Sequence, residues 1–382
     1  MTRRFHVLGL PHTRTHKEFS ACAYTQKVLN FCKMMRGLGH EVFHYGAEGS
    51  EVECTEHVTI ITTAEQEALF GIYDWRKEGF RLDWNWDRPH WRLCSIRAAA
   101  AILQRLGYGP GGAAMPSGLP GGALVGTRDI LALISGAQKT AADMLPGMKA
   151  IEYGVGYRGV FSQYCVWESY SHQANRYGEM KFDMDGRPDD AVIPNYFDPA
   201  DFPEGKGDQG YCLFIGRLIS RKGLDLAIEA TRAAGHRLII AGQGVRHWDA
   251  TRGELHTTEG PVYQGAHISY VGCVGPESRA KLMGGALATF APTRYVEPFG
   301  GVAVESQLCG TPAITSDWGA FPETVQHGVT GYRCRSLADF IAAAKAVSGM
   351  PRAGIRARAL SRWSLDAVAP MYERYFDRIA QG

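Results

Sequence analysis

The sequence predicts an α/β protein of two doubly wound domains, each a mostly parallel sheet flanked by helices, facing each other across a cleft. Three observations predict it. Short apolar strands alternate with helical patterns along most of the 382 residues, the signature of βαβ units and a parallel sheet. The length suits two domains at about 150 residues each. A stretch rich in Pro, Asp and Gly, AVIPNYFDPADFPEGKGDQG at 191–210, interrupts the alternation, which then begins afresh. The boundary is placed there, giving a first domain over 1–198 and a second over 199–365. A closing amphipathic helix within 366–382 is expected to pack back onto the first domain.

In chain order, FHVLGL (5–10) reads as the first strand and 20–38 as the following helix, stopped by Gly37-Leu38-Gly39. EVFHYGA from Glu41 and VTIITT from Val58 read as the second and third strands. The glycine- and proline-rich run GYGPGGAAMPSGLPGG (107–122) is a long loop within the first domain, because strand signals resume after it. DILALIS (129–135) and MKAIEYG (148–154) read as buried strands with a short helix between them. YCVWESYSHQ (164–173) reads as a strand end entering a helix beside the cleft, where Glu168 and Ser169 can line it or Trp167 and Tyr170 can simply be core. The second domain opens with the strand YCLFIGR, the helix GLDLAIEATRAAG and the strand HRLIIAGQG. The alternation continues through ISYVGCV, RAKLMGGA, ATFAPT, GGVAVESQLCG and PAITSD. Ligands of such sheets bind beyond the carboxyl ends of the strands, so strand-end residues are the ones to examine.

Composition narrows the setting. Forty-one basic residues against thirty-nine acidic give a formal charge of +2, so no global field points to a polyanionic partner. The nine cysteines are scattered without any CxxC pair, which argues against a disulfide framework or zinc site and for a reducing compartment. The N-terminus runs directly into a strand-like segment without a signal-peptide apolar region, and no run approaches the roughly 20 apolar residues of a transmembrane helix. The expectation is a soluble, cytoplasmic protein.

Three segments of the second domain carry chemistry. In Ile215-Gly216-Arg217-Leu218-Ile219-Ser220-Arg221-Lys222-Gly223, a glycine turn follows an apolar strand. Arg217 and Lys222 can then place a guanidinium fork and an ammonium on one phosphate-sized anion, although the loop can equally be solvated with a capping lysine. In Glu297-Pro298-Phe299-Gly300-Gly301-Val302-Ala303-Val304-Glu305, proline and paired glycines precede an apolar helix, so free amides at a helix N-terminus form a ready anion site. Its two carboxylates, eight residues apart, can address two ends of one ligand or serve as a cap and a surface residue. Thr315-Ser316-Asp317-Trp318-Gly319-Ala320-Phe321-Pro322-Glu323 is a further strand end turning into a helix.

Together these segments resemble the retaining family 4 glycosyltransferases (glycosyl transferases group 1) of GT-B fold, two Rossmann-like domains facing across a cleft. The resemblance runs from about 192 to 347 and covers VIPNYFDPADF, FIGRLISRKGLDLAIEA, Gly242 and Gly244 of IIAGQG, Gly272 of YVGCV, and EPFGGVAVESQLCGTPAITSDWGAFPETVQHGVTGY. It implies that Gly216, Arg217 and Lys222 bind the donor diphosphate, that Glu297 sits near the donor sugar and that Glu305 takes the ribose hydroxyls. Backbone amides of Phe299, Gly300 and Gly301 would hold the sugar, and those of Val302 and Ala303 the phosphate. It further implies a nucleotide-sugar donor, UDP-linked by default, as co-substrate, with no cofactor and no metal. Glu297, Arg217 and Lys222 are the expected catalytic groups, joined by Glu152 of IEYGVGY, where relatives place a polar residue against the donor sugar.

The acceptor side is left to the first domain, with a glycan, a lipid or a modified DNA base as candidates. The first loop, Gly9-Leu10-Pro11-His12-Thr13, lacks the paired glycines of the family, and His12 or His16 can face the cleft. Tyr153, beside Glu152, is a second candidate. Aromatic and basic residues interleave from Asp74 to Arg92, with Trp84, Trp86 and Arg88 at the centre. Such a surface stacks bases or sugar rings, or buries its tryptophans while arginines snorkel outward. The Asp183-Met184-Asp185 triplet, a metal-binding pattern in another glycosyltransferase architecture, reads as a loop. Alternative readings are a DNA-modifying transferase of phage type acting on a hydroxymethylated pyrimidine, and a sugar-nucleotide epimerase of GT-B fold.

Overall fold

A computed structural model describes residues 2–108, 128–180 and 185–381. Most of the glycine-rich run and the first two residues of the Asp183-Met184-Asp185 triplet lie outside the described residues.

The first domain is a seven-stranded sheet of β1 (Arg4–Leu8), β2 (Glu41–Ala47), β3 (Glu56–Ile61), β4 (Asp129–Leu133), β5 (Lys149–Val155), β6 (Tyr164–Trp167) and β7 (Ala191–Val192). The strands lie in the order β3-β2-β1-β4-β5-β6-β7, and every neighbouring pair is parallel. Central strands are buried along nearly their whole length, as a sheet covered on both faces requires. The helix Ala23–Gly37 buries Val28, Phe31, Cys32 and Met35, spaced at i, i+3, i+4 and i+7, against that sheet. It ends where the sequence signalled, with Gly39 at φ 81°.

The second domain holds β8 (Tyr211–Ile215), β9 (Arg237–Ala241), β10 (Val245–Asp249), β11 (Glu254–Thr257), β12 (Val262–Gln264), β13 (Ile268–Tyr270), β14 (Thr289–Ala291), β15 (Ala313–Ser316) and β16 (Gly331–Cys334). Six of them form a parallel sheet in the order β13-β9-β8-β14-β15-β16. Counted within each domain, both sheets follow the doubly wound order, reversing direction at β1/β4 and at β8/β14. The strands β10, β11 and β12 form a separate antiparallel meander between β9 and β13, which the sequence reading passed over.

The chain crosses between domains twice, and the crossings are bound together. Phe197 N–H donates to the Trp363 carbonyl at 2.8 Å, and Leu365 N–H to the Phe197 carbonyl at 3.1 Å. After the second crossing the helix Leu365–Gln381 joins the core of the first domain, placing Val368, Tyr372 and Phe376 with Phe5 and Phe31. The Phe5 and Phe376 rings lie 4.9 Å apart.

Candidate active site

A cleft of about 460 Å³ opens between the domains, beyond the carboxyl ends of both sheets. On the second-domain side its floor comes from the loops after β8 and β14, the strands flanking the switch point. Gly216 follows β8 directly, and Gly242, after β9, packs so closely that a Cβ there would run into the Gly216 carbonyl oxygen. Gly242 N–H is held by the Gly272 carbonyl at 2.8 Å. Gly272 and Gly244 therefore shape the floor from behind and do not line the cleft, while Gly216 and Gly242 do.

The turn carrying Arg217 and Lys222 is fixed from two sides. Glu259, at the tip of the β11–β12 hairpin, accepts from Ser220 N–H at 2.8 Å and from Ser220 Oγ at 3.0 Å. Arg294, after β14, donates to the Ser220 carbonyl at 3.1 Å and is anchored to Asp225 at 2.5 Å. Lys222 Nζ then reaches Glu297 at 3.0 Å and the Tyr295 hydroxyl at 2.5 Å. Tyr295 lies beneath the Arg221 guanidinium, 4.7 Å from ring centroid to carbon. Burial, reinforced by the Glu297 charge, pushes the Tyr295 phenol well above its ordinary range, so it stays protonated. Arg217 is exposed to the cleft and has no side-chain hydrogen bond or ion pair among the described residues.

The helix Gly301–Leu308 starts at Gly300, whose φ of 80° and contact with the Phe321 ring exclude a side chain. No side chain caps this helix, so its first amides face the cleft at Gly301 and Val302. The expectation for Ala303 is corrected, because its N–H already donates to the Gly300 carbonyl at 2.9 Å and the residue is fully buried. Glu297 also lies before the helix, in the loop after β14, so the two carboxylates do not share one helical face. Glu305, on the helix, is 5% exposed, accepts from Gln26 Nε2 at 3.3 Å and lies 3.7 Å from Arg279. Phe299 is buried and stacks on Phe197 while its backbone borders the cleft.

The first-domain wall differs in part from the expectation. Glu152 is fully buried and faces away from the cleft, accepting from Phe161 N–H (2.9 Å), Ser162 N–H (2.8 Å) and the Tyr157 hydroxyl (3.0 Å). It anchors the loop after β5. Tyr153 is core, its ring stacked on Phe31 at 4.1 Å. Strand alternation sends neighbouring residues to opposite faces of β5, and neither face is the cleft. Glu168, one of the residues expected beside the cleft, does line it, in a buried ion pair with Lys27, which also donates to the Gly154 carbonyl at 3.1 Å. Asn30 and Asn195 complete this wall. Lys27, Asn30, Asn195, Tyr295 and Glu259 escaped the sequence reading; only Tyr295, two residues before Glu297, carried a positional signal.

Direct bonds join the walls. Ser169 Oγ donates to the Pro298 carbonyl at 2.6 Å, and Ser171 Oγ to the Gly319 carbonyl at 2.7 Å. The Glu323 carboxylate accepts from the backbone amides of Tyr170 (3.0 Å) and Ser171 (2.8 Å) at the start of the helix Tyr170–Met180. A second-domain carboxylate thus caps a first-domain helix.

The remaining acceptor-side candidates are dispersed. His12 is buried in the first loop, its Nε2 3.6 Å from Cys22 Sγ and its Nδ1 without a hydrogen-bond partner among the described residues. Trp84 is half-exposed and rests 4.8 Å from the ring of Tyr24, a cleft residue. Trp86 is half-exposed. Arg88 pairs with Asp83 at 2.6 Å, and its neighbours are also neutralised, Arg76 by Glu18, Lys77 by Asp74 and Arg81 by Glu78. Among the described residues no group of three or more His, Cys, Asp or Glu is placed to hold a metal ion, and no helix is long and apolar enough to cross a membrane.

Comparison with known proteins bears on this geometry. Residues 198–348 match the family model described as glycosyl transferases group 1. A glycogen synthase of Mycobacterium tuberculosis (strain CDC 1551 / Oshkosh) is 31% identical over 186 residues, 46% of this chain and 43% of that protein. A D-inositol 3-phosphate glycosyltransferase of Mycobacterium bovis (strain BCG / Pasteur 1173P2) is 28% identical over 181 residues, 44% of this chain and 38% of that protein. The match thus spans less than half the length of each. Among solved structures, AviGT4, a glycosyltransferase involved in avilamycin A biosynthesis, superposes with a TM-score of 0.66 at 20% identity, covering 100% of this chain and 98% of its own. HepE of Anabaena, solved with UDP and glucose, gives 0.61 at 13% identity over 99% and 100%. These structures share the GT-B fold with this chain.

Proposed function

We propose, from the match of residues 198–348 to the glycosyl transferases group 1 model and from the cleft geometry, that the chain is a retaining, metal-independent transferase. It moves a sugar from a nucleoside diphosphate, UDP by default, to a hydroxyl acceptor. One observation carries the reading: Arg217, Lys222 and the uncapped start of the helix Gly301–Leu308 converge on a cleft that also holds Glu297 and Glu305.

Cleaving a sugar–phosphate bond builds negative charge on the leaving diphosphate, and preorganised cations and amides stabilise that charge without reorganising. Arg217 offers a bidentate fork, Lys222 a point charge, and Gly301 and Val302 their amides. When the diphosphate binds, Lys222 exchanges part of its contact with Glu297 for the phosphate, which leaves Glu297 free to hold a sugar hydroxyl. Glu305, in a protected position deeper along the helix, takes the ribose. Retention follows if the leaving phosphate itself accepts the proton of a hydroxyl arriving on the same face, so that no protein base is required. Four of the five Lys and Arg residues of the 74–92 segment, all but Arg92, are paired with carboxylates, which favours an uncharged acceptor over DNA. A cytoplasmic setting belongs to the same reading, supported by nine free cysteines.

The test is a screen of UDP-, GDP- and ADP-sugars for slow hydrolysis, followed by transfer to glycan, lipid and hydroxymethylated-DNA acceptors, with and without chelator. Hydrolysis of one donor, with the anomeric configuration retained in the product by NMR, is expected. Epimerisation without transfer, an inverted product, or activity that depends on added manganese would each overturn part of the proposal.

A further inference from the structure

A second concavity, of about 180 Å³, lies in the first domain. Its walls are the loop after β1, the helix Thr63–Phe70 that follows β3, and the chain running on to Phe80. It therefore opens beyond the carboxyl ends of the strands, where doubly wound sheets bind ligands. At about 30 Å³ per water it has the volume of roughly six waters, room for one small ring.

Its lining is aromatic on one side. The Trp75 and Phe80 rings stack 4.8 Å apart at 11°, the Arg76 guanidinium lies over Trp75 at 4.6 Å, and Phe19 leans on Trp75 at 5.7 Å, so Phe19, Phe80 and the ring edges are what the pocket presents. His12, 9% exposed, packs edge-on against the Phe80 ring of this same wall, centroids 5.5 Å apart. Cys22 Sγ lies 3.6 Å from its Nε2, and its Nδ1 has no hydrogen-bond partner among the described residues. A buried polar nitrogen without a partner is costly, so a ligand hydroxyl there recovers a hydrogen bond. Burial pushes this imidazole down to about 3, so the ring is neutral near pH 7 and presents one nitrogen as donor and the other as acceptor. One cation, Arg14, and one anion, Glu67, stand on the rim and balance. Nothing in this lining selects a charged ligand.

The pocket adjoins the cleft. The Trp75 carbonyl accepts from Gln243 Nε2 at 2.8 Å, and Gln243 lines the cleft from the second domain. This hydrogen bond, and the chain running from Phe19 in the pocket to Ser20 in the cleft, join the two concavities.

We propose that this pocket is an acceptor subsite that binds an uncharged sugar ring, its apolar edge among Phe19, Phe70 and Phe80 and a hydroxyl on the neutral His12. The proposal rests on the donor reading above, because it takes its place as acceptor from the neighbouring nucleotide site. Its chemistry is an aromatic lining combined with a neutral hydrogen-bonding edge, which suits a ring of hydroxyls and disfavours phosphate or carboxylate.

The test titrates the full chain with methyl and p-nitrophenyl glycosides by saturation-transfer NMR and tryptophan fluorescence, and separately with UDP. Saturable glycoside binding is expected, weakened about tenfold in His12→Gln, the scale of one buried hydrogen bond. Because a buried histidine can matter for folding, Thr63→Trp provides the second arm: it fills the pocket from the rim, keeps His12, and should weaken glycoside binding at least as much in a protein of normal melting temperature. Absence of saturable glycoside binding to the wild type overturns the proposal, as does equal binding in Thr63→Trp or displacement of the glycoside by inorganic phosphate. Glycoside binding that persists while UDP fails to bind would sink the donor reading alone; UDP binding with no glycoside site would sink the subsite alone.

Discussion

Lys222 Nζ lies 3.0 Å from the Glu297 carboxylate, a pair 75 residues apart in sequence that brings the turn after β8 against the loop after β14. Two flanks of the switch point thus meet through one ion pair, at the place where a diphosphate and its sugar would be divided. Lys222→Ala is expected to lower kcat/KM by about a hundredfold or more, the cost of removing one preorganised charge from a developing anion. The side chain is part-exposed and the melting temperature should hardly move. Near-normal turnover by a folded Lys222→Ala protein would remove its diphosphate role.

Tyr295→Phe removes the hydroxyl that Lys222 touches at 2.5 Å and keeps the ring beneath Arg221. A drop of about tenfold in kcat/KM is expected, the scale of one hydrogen bond to a charged group. If Lys222 needs no guidance, the variant will match wild type in steady-state kinetics.

Glu259 holds the Ser220 turn through two hydrogen bonds although it sits on the separate meander. Glu259→Ala should raise donor KM severalfold while leaving kcat near its original value, because the cations are loosened before binding and gathered again by the bound anion. Tighter donor binding in this variant would show instead that the carboxylate acts mainly by repelling phosphate.

Glu323 caps the helix Tyr170–Met180 from the opposite domain. Glu323→Ala should destabilise the protein by about 1 kcal/mol, a typical cap loss, and widen the distribution of interdomain distances. Small-angle scattering of the variant with and without UDP reads the second effect. A profile superposable on wild type in both states would show that other contacts hold the domains.

Acid should unfold the protein through buried imidazoles. His44 contacts His57 at 2.9 Å, and burial pushes it down to about 3. An unfolded chain takes up that proton near the ordinary histidine value of about 6.5, so between these values the unfolded state binds more protons. Stability is fully present above about pH 6.5 and is lost as the pH falls toward 3. Denaturant midpoints between pH 7 and pH 4 check this: His44→Gln, if it folds, should flatten the slope, and an unchanged slope would assign the acid sensitivity to other groups.

The two-domain α/β plan and the segments of the second domain that reach the cleft are legible in the sequence. Its strands are short continuous apolar runs, and the residues from Glu297 to Glu305 are contiguous, so periodicity and local motif suffice to find them. The meander β10–β12 was not legible because its strands are three to five residues long and of mixed polarity, which leaves no clear period. On the first-domain wall the sequence offers both Glu152 and Glu168, and the fold chooses between them. Glu152 and Glu168 look alike in sequence, each at or near the end of an apolar strand. Strand alternation turns Glu152 onto a buried loop, while Glu168, just past its strand, meets Lys27 from a different helix inside the cleft. Which carboxylate faces the ligand depends on the direction of a side chain and on partners far away in the chain, and a hydrophobic pattern records neither.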